Sequence, residues 1–138
     1  MKVLLDTHVL LDVLAERKPF YPDSARVWSL AEVGRIDAYV AVISFSNCYY
    51  IVHKFAGRVK AEKAIRLLRD AFTPVDLTAQ VLIQAIDASF SDFEDAIQFH
   101  SALHAKVACI ITRNPDHFPK TPLSILSPSE FLAAHSFE

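Results

Sequence analysis

The chain has only two glycines, two cysteines, one tryptophan and one methionine in 138 residues. So little glycine excludes flexible linkers, collagen-like repeats and the glycine-rich loops that cradle phosphates in nucleotide-binding folds. Two cysteines in unrelated segments exclude the disulfide framework of a small secreted domain. Cys109 lies inside the apolar run 107–111, where a buried thiol behaves as a small hydrophobe, so a reducing, cytoplasmic setting is expected. Long apolar runs are missing as well. Asp6 interrupts the N-terminal stretch too early for the apolar region of a signal peptide, and nothing approaches the ~20 apolar residues of a membrane span, so no membrane partner is expected. Nor is there an excess of one charge: 14 Lys+Arg against 16 Asp+Glu leave a net charge of −2. That balance excludes a basic coat for non-specific nucleic-acid binding, though not a local basic patch.

What is present is apolar side chain, 52% of residues against 22% charged, which excludes disorder and supports one hydrophobic core. Without repeats, linkers or long loops, residues 1–138 read as a single domain. Short β-branched runs alternate with stretches of helical period, the pattern of an α/β domain. Strands are expected at 2–6, 38–43, 74–77, 107–112 and 123–126, and helices at 8–16, 23–34, 44–56, 59–71, 78–89 and 92–105. Asp23, Ser44, Thr78 and Ser91 stand where N-caps belong, and Gly34 and Gly57 where left-handed C-cap residues belong. The continuous apolar runs Val3-Leu4-Leu5 and 107–111 fit strands covered on both faces. The expectation is therefore a three-layer α/β/α sandwich around a mostly parallel sheet of four to five strands.

In such sheets ligands bind beyond the carboxyl ends of the strands. Asp6, Thr7 and His8 follow the first strand, Ser44 and Asn47 the second, and Thr112-Arg113-Asn114-Pro115-Asp116 the fourth. Asp92, Glu94 and Asp95 open a helix, where the macrodipole alone accounts for one or two acids. Asp92 and Asp95, three apart, share a face about 60° wide, with Glu94 pointing elsewhere. With Asp6 they would make an oxygen-only cluster suited to Mg²⁺ or Mn²⁺, able to polarise a phosphodiester and activate a water. His100 and His104 lack the further ligands of a zinc site and read as structural. Asn114-Pro115 is a helix-start signal as well as a candidate site element, and Asp116 falls in the first turn after it. Lys54, Arg58, Lys60, Lys63, Arg66 and Arg69 face only Glu62 in their stretch. They form either a solvated helix face or a rim tracking an RNA backbone, to which Lys54, Arg58 and Lys63 would contribute.

Taken in order, Leu4-Leu5-Asp6-Thr7-His8-Val9, Ile43 to Asn47, Asp92-Phe93-Glu94-Asp95-Ala96-Ile97-Gln98 and Ile111-Thr112-Arg113-Asn114 resemble the PIN-domain family, and within it toxin ribonucleases of the VapC type. The resemblance implies a metal-dependent endoribonuclease. Asp6, Asp92 and Asp95 would hold Mg²⁺ or Mn²⁺, with Asp116 a further candidate, and Asn47 and Asn114 would complete the site. Thr7, His8, Ser44, Thr112 and Arg113 would position substrate or water. It also implies a homodimer, an RNA substrate and a small antitoxin partner. Asn47 stands where the family usually has Glu, as in a subgroup reading Ser-x-x-Asn-x-Tyr-Tyr. The loss of one carboxylate implies weaker metal binding, and the alternative is a weakly active or inactive module that binds RNA or antitoxin.

Overall fold

A computed structural model describes residues 1–137. Five strands, β1 (Lys2–Leu5), β2 (Asp37–Ala41), β3 (Thr73–Val75), β4 (Cys109–Ile111) and β5 (Ser124–Leu126), form one sheet in the order β3-β2-β1-β4-β5, with every pairing parallel. The helices are α1 (Thr7–Leu14), α2 (Tyr21–Glu32), α3 (Val42–Ala56), α4 (Arg58–Ala71), α5 (Ala79–Asp87), α6 (Phe93–Ala105) and α7 (Pro128–Ala134), with a 3₁₀ turn at Pro115–His117.

Alternation along the strands builds the three layers. Val3 and Leu5 of β1, Ala38 and Val40 of β2 and Cys109 and Ile111 of β4 pack with α1, α2, Cys48 of α3, Leu68 of α4 and Phe131 of α7. Leu4, Ile110 and Val75 point the other way, onto Phe99 and Ala102 of α6. Central strands β1 and β4 are thus apolar on both faces, as their uninterrupted runs required. Pro74 is tolerated because β3 lies at the edge, paired on one side only.

Several boundaries move for local reasons. β2 ends at Ala41 and α3 begins at Val42, so Ser44 is not an N-cap but a buried residue of the first turn. The first turn of α2 holds Asp23, behind Pro22, and not ahead of it. Asp92, not Ser91, caps α6, accepting from the Asp95 amide at 3.1 Å. Thr78 caps α5 as expected. Gly34 (φ +75°) and Gly57 (φ +89°) occupy backbone conformations that disfavour any side chain. Helix α7 was not anticipated; its capping box, Ser127 with Glu130, is the signal that could have revealed it.

Candidate active site

From β1 the chain runs outward through β2 to β3, whereas β4 and β5 add to the other side of β1. The reversal lies between β1 and β4, and the crevice beyond their carboxyl ends is where an open parallel sheet receives ligands. Asp6 caps α1 at this point, with its amide donating to the Ile111 carbonyl of β4 at 3.0 Å. Its Oδ1 accepts from the Thr7 amide at 2.7 Å and its Oδ2 from the Thr112 hydroxyl at 2.8 Å. Burial pushes the Asp6 carboxyl above its ordinary range, opposed by these two hydrogen bonds. Thr112 Oγ1 in turn accepts from the Asn114 amide at 3.3 Å, tying the segment after β4 to the same carboxylate.

Asp95 stands in the first turn of α6. Its carboxyl is pushed up to about 6, first by burial and then by the negative charges of Asp6 and Asp92. His117 of the 3₁₀ turn lies opposite, its Nδ1 3.8 Å from Asp95 Oδ2. The negative charge of Asp6, from a separate element, thus opposes ionisation of Asp95, which is the electrostatic condition a cation relieves.

A third acid joins them. The Thr7 hydroxyl donates to Glu94 Oε1 at 2.8 Å, so Glu94 does not point away from the site. Helix α6 is buried over a wide arc, from Ala96 through Ala102, so a helical wheel does not single out the side that meets Thr7 of α1 and Ser44 of α3. Gln98, one turn after Glu94, is fully buried. Its Nε2 donates to Ser44 Oγ at 2.8 Å and to Thr7 Oγ1 at 3.3 Å. Glu94 and Gln98 lie four residues apart and so on one side of α6, where both meet Thr7.

Other expected residues lie around this centre. Asp92 is exposed at the mouth, one oxygen engaged as a cap. Asn47 is half-buried on α3, one turn beyond Ser44, while His8, Asn114 and Asp116 are exposed. Arg113 crosses to α1: its Nε is 3.3 Å from Asp12 Oδ2, and its guanidinium stacks 3.7 Å from the centre of the Phe20 ring. Arg17 lies 3.1 Å from the other Asp12 oxygen, so the fully buried Asp12 is flanked by two cations. Burial nevertheless raises the Asp12 carboxyl, with Arg113 and Arg17 opposing. Lys54, Arg58 and Lys63 stay apart from the crevice, Lys54 being ten residues, or roughly 15 Å, along α3 from Ser44. Arg58 pairs with Glu62 at 2.8 Å. His100 packs against Phe99 and Phe90.

Among the described residues no three Asp, Glu, His or Cys side chains converge into a ready-made metal cage. Mg²⁺ does not demand one, because it usually keeps several waters and is held by one or two carboxylates. The all-oxygen donor set and the repulsion at Asp95 fit such a hydrated ion.

A model of the PIN domain matches residues 2–116. The chain belongs to the PIN-domain family. No curated protein sequence matches it. Among solved structures, this PIN domain superposes on VapBC2 of Rickettsia felis bound to a promoter DNA fragment, with a TM-score of 0.69 at 15% identity, covering 92% of this chain and 98% of the other. A toxin–antitoxin complex of Klebsiella pneumoniae gives 0.68 at 17% identity, covering 91% and 97%. The VapC20 toxin of Mycobacterium tuberculosis, which cleaves the sarcin–ricin loop, gives 0.64 at 15% identity, covering 78% and 86%. At these identities the likeness establishes a shared fold.

Proposed function

We propose that this PIN-domain protein is a divalent-metal-dependent endoribonuclease, the toxin of a toxin–antitoxin pair. The observation that carries the reading is Asp6 fixed by Thr7 and Thr112 at the sheet's point of reversal, where its negative charge helps push Asp95 of α6 up to about 6. Asp6 and Asp95 would hold Mg²⁺ or Mn²⁺, with Asp92 at the mouth, and Asp116 is a further candidate. The bound ion would polarise a phosphodiester and lower the pKa of a water. The chain's own residues prepare the site. Thr112 and the Thr7 amide fix the orientation of Asp6, while the Arg113–Asp12 pair holds the backbone beside Thr112 and so steadies Asn114. Asn47, Asn114, His8 and the Thr7, Ser44 and Thr112 hydroxyls supply polar groups for phosphate and water.

The partners follow from the surface. An open groove of about 760 Å³ between α1, α3 and α4 is lined by Leu11, Leu14, Ile51, Phe55 and Leu67, with Arg17, Lys60 and Lys63 against a single acid, Glu16. Its chemistry suits an amphipathic antitoxin segment carrying acidic residues. On α5, Leu82, Ile83 and Ile86 are exposed beside Phe93 of α6, an apolar face suited to a second copy of the chain. No helix among the described residues is long and apolar enough to cross a membrane, and both cysteines are buried and unpaired. Asn47 favours one alternative, a weakly active or inactive module that binds RNA or antitoxin. Cleavage of RNA with Mn²⁺, lost on chelation and in Asp6→Asn, is the expected result; binding of RNA without cleavage at any metal concentration would establish the alternative.

A further inference from the structure

The hydrogen bonds around Thr7 have only one consistent direction. An ionised carboxylate accepts and cannot donate, so the single Thr7 hydroxyl proton is committed to Glu94 Oε1, at 2.8 Å. The 2.8 Å contact between Thr7 and Ser44 must then use the Ser44 proton. Ser44 Oγ is left to accept, and Gln98 Nε2 donates to it at 2.8 Å. A buried chain thus runs from the Gln98 amide through Ser44 and Thr7, every donor aimed at Glu94, with α1, α3 and α6 each contributing. Such ordered chains polarise one another in a low-dielectric interior. Only one Glu94 oxygen is used by it; Oε2 has no hydrogen bond among the described residues.

Position 47 lies three residues beyond Ser44 and so on the same side of α3. The negative charge of Glu94 is felt at Cys48, the next residue, as well as at Asp6 and Asp95. We propose that Glu94, aimed by the Gln98–Ser44–Thr7 chain, supplies from α6 the carboxylate that Asn47 does not supply from α3, acting on the hydrated divalent cation through an intervening water. This rests on the metal-dependent reading above and adds to it a residue, and a reason why Asn47 is compatible with activity.

The proposal separates from a purely structural role because glutamine retains an oxygen that accepts from Thr7 but carries no charge. Mn²⁺ binding, measured by calorimetry on the full chain without RNA, is the readout, with thermal melting as the folding control. Glu94→Gln is expected to melt like the parent yet bind Mn²⁺ roughly 10-fold or more weakly, the size of loss typical of outer-shell partners. The double variant Asn47→Glu/Glu94→Gln is expected to recover binding to within about 3-fold of the parent, since site affinity follows carboxylate count. Undiminished binding in Glu94→Gln, or a loss the double variant fails to recover, overturns the proposal. Asp6→Asn distinguishes the two levels. If it abolishes Mn²⁺ binding while Glu94→Gln does not change it, the metal reading stands and the role of Glu94 falls; if neither changes it, both fall.

Discussion

Asp95 is where burial and like charge act together most strongly. Its folded-state value of about 6, against an ordinary 3.8, means that the folded chain keeps a proton between those values which the unfolded chain has released. Stability contributed by this group is therefore full below about pH 4, falls as pH rises toward 6 and stays low above it, at a limiting slope of ~1.4 kcal/mol per pH unit. Asp95→Asn is expected to flatten that decline and to stabilise the metal-free protein by about 1–2 kcal/mol at pH 7.5, read from urea melts at pH 4.5 and 7.5. A variant that loses stability over this interval as steeply as the parent would refute the assignment. Mn²⁺ should favour the opposite form, so its affinity should climb through pH 6 as Asp95 gives up its proton. Residue type was enough to mark Asp6 and Asp95, because a carboxylate at a strand end or opening a helix is visible in the one-dimensional pattern. The engagement of Glu94 and Gln98 was not visible, since a helical wheel ranks faces within one helix and is silent about which neighbours surround it.

The helices were legible where a side chain caps them and shifted where backbone alone begins them. Thr78 and the glycines at 34 and 57 punctuate as their chemistry requires. α3 starts two residues before its apparent cap, Ser44, because Ala41 adopts the extended cap conformation without any side-chain bond. That shift carries function: Ser44 is released from capping its own helix and binds Thr7 and Gln98 instead. α7 shows the converse, a short helix held by its cap. Ser127 accepts from the Glu130 amide at 3.1 Å, while Glu130 accepts from the Ser127 amide at 2.9 Å. Phe131 in the next turn is fully buried against the sheet. Ser127→Ala is expected to lower stability by about 1 kcal/mol in a urea melt without altering Mn²⁺ binding, since the Ser127 hydroxyl bonds within its own helix. A loss of metal binding would show instead that α7 supports the site.

Across the molecule, the net charge of −2 conceals a separation of acidic crevice from basic α4. The exposed face of α5 gives the proposed homodimer a test. Ile83→Asp combined with Ile86→Asp is expected to shift the sedimenting species from dimer to monomer while leaving the circular dichroism spectrum intact, because both side chains are more than half exposed in the single chain. Unchanged sedimentation would move the interface elsewhere. Hydrophobic periodicity was sufficient to give the α/β class and the central position of β1 and β4, and strand-end acids marked where a candidate site would lie, because burial of an apolar face and the placement of charge are properties of short segments. The closure of the Gln98–Ser44–Thr7–Glu94 chain and the clamp of Arg113 on Asp12 join residues up to 101 positions apart, from Asp12 to Arg113. No local pattern encodes such pairs. They exist because the parallel crossovers bring α1, α3, α6 and the end of β4 to one edge of the sheet, where buried polar groups on different elements come within bonding distance.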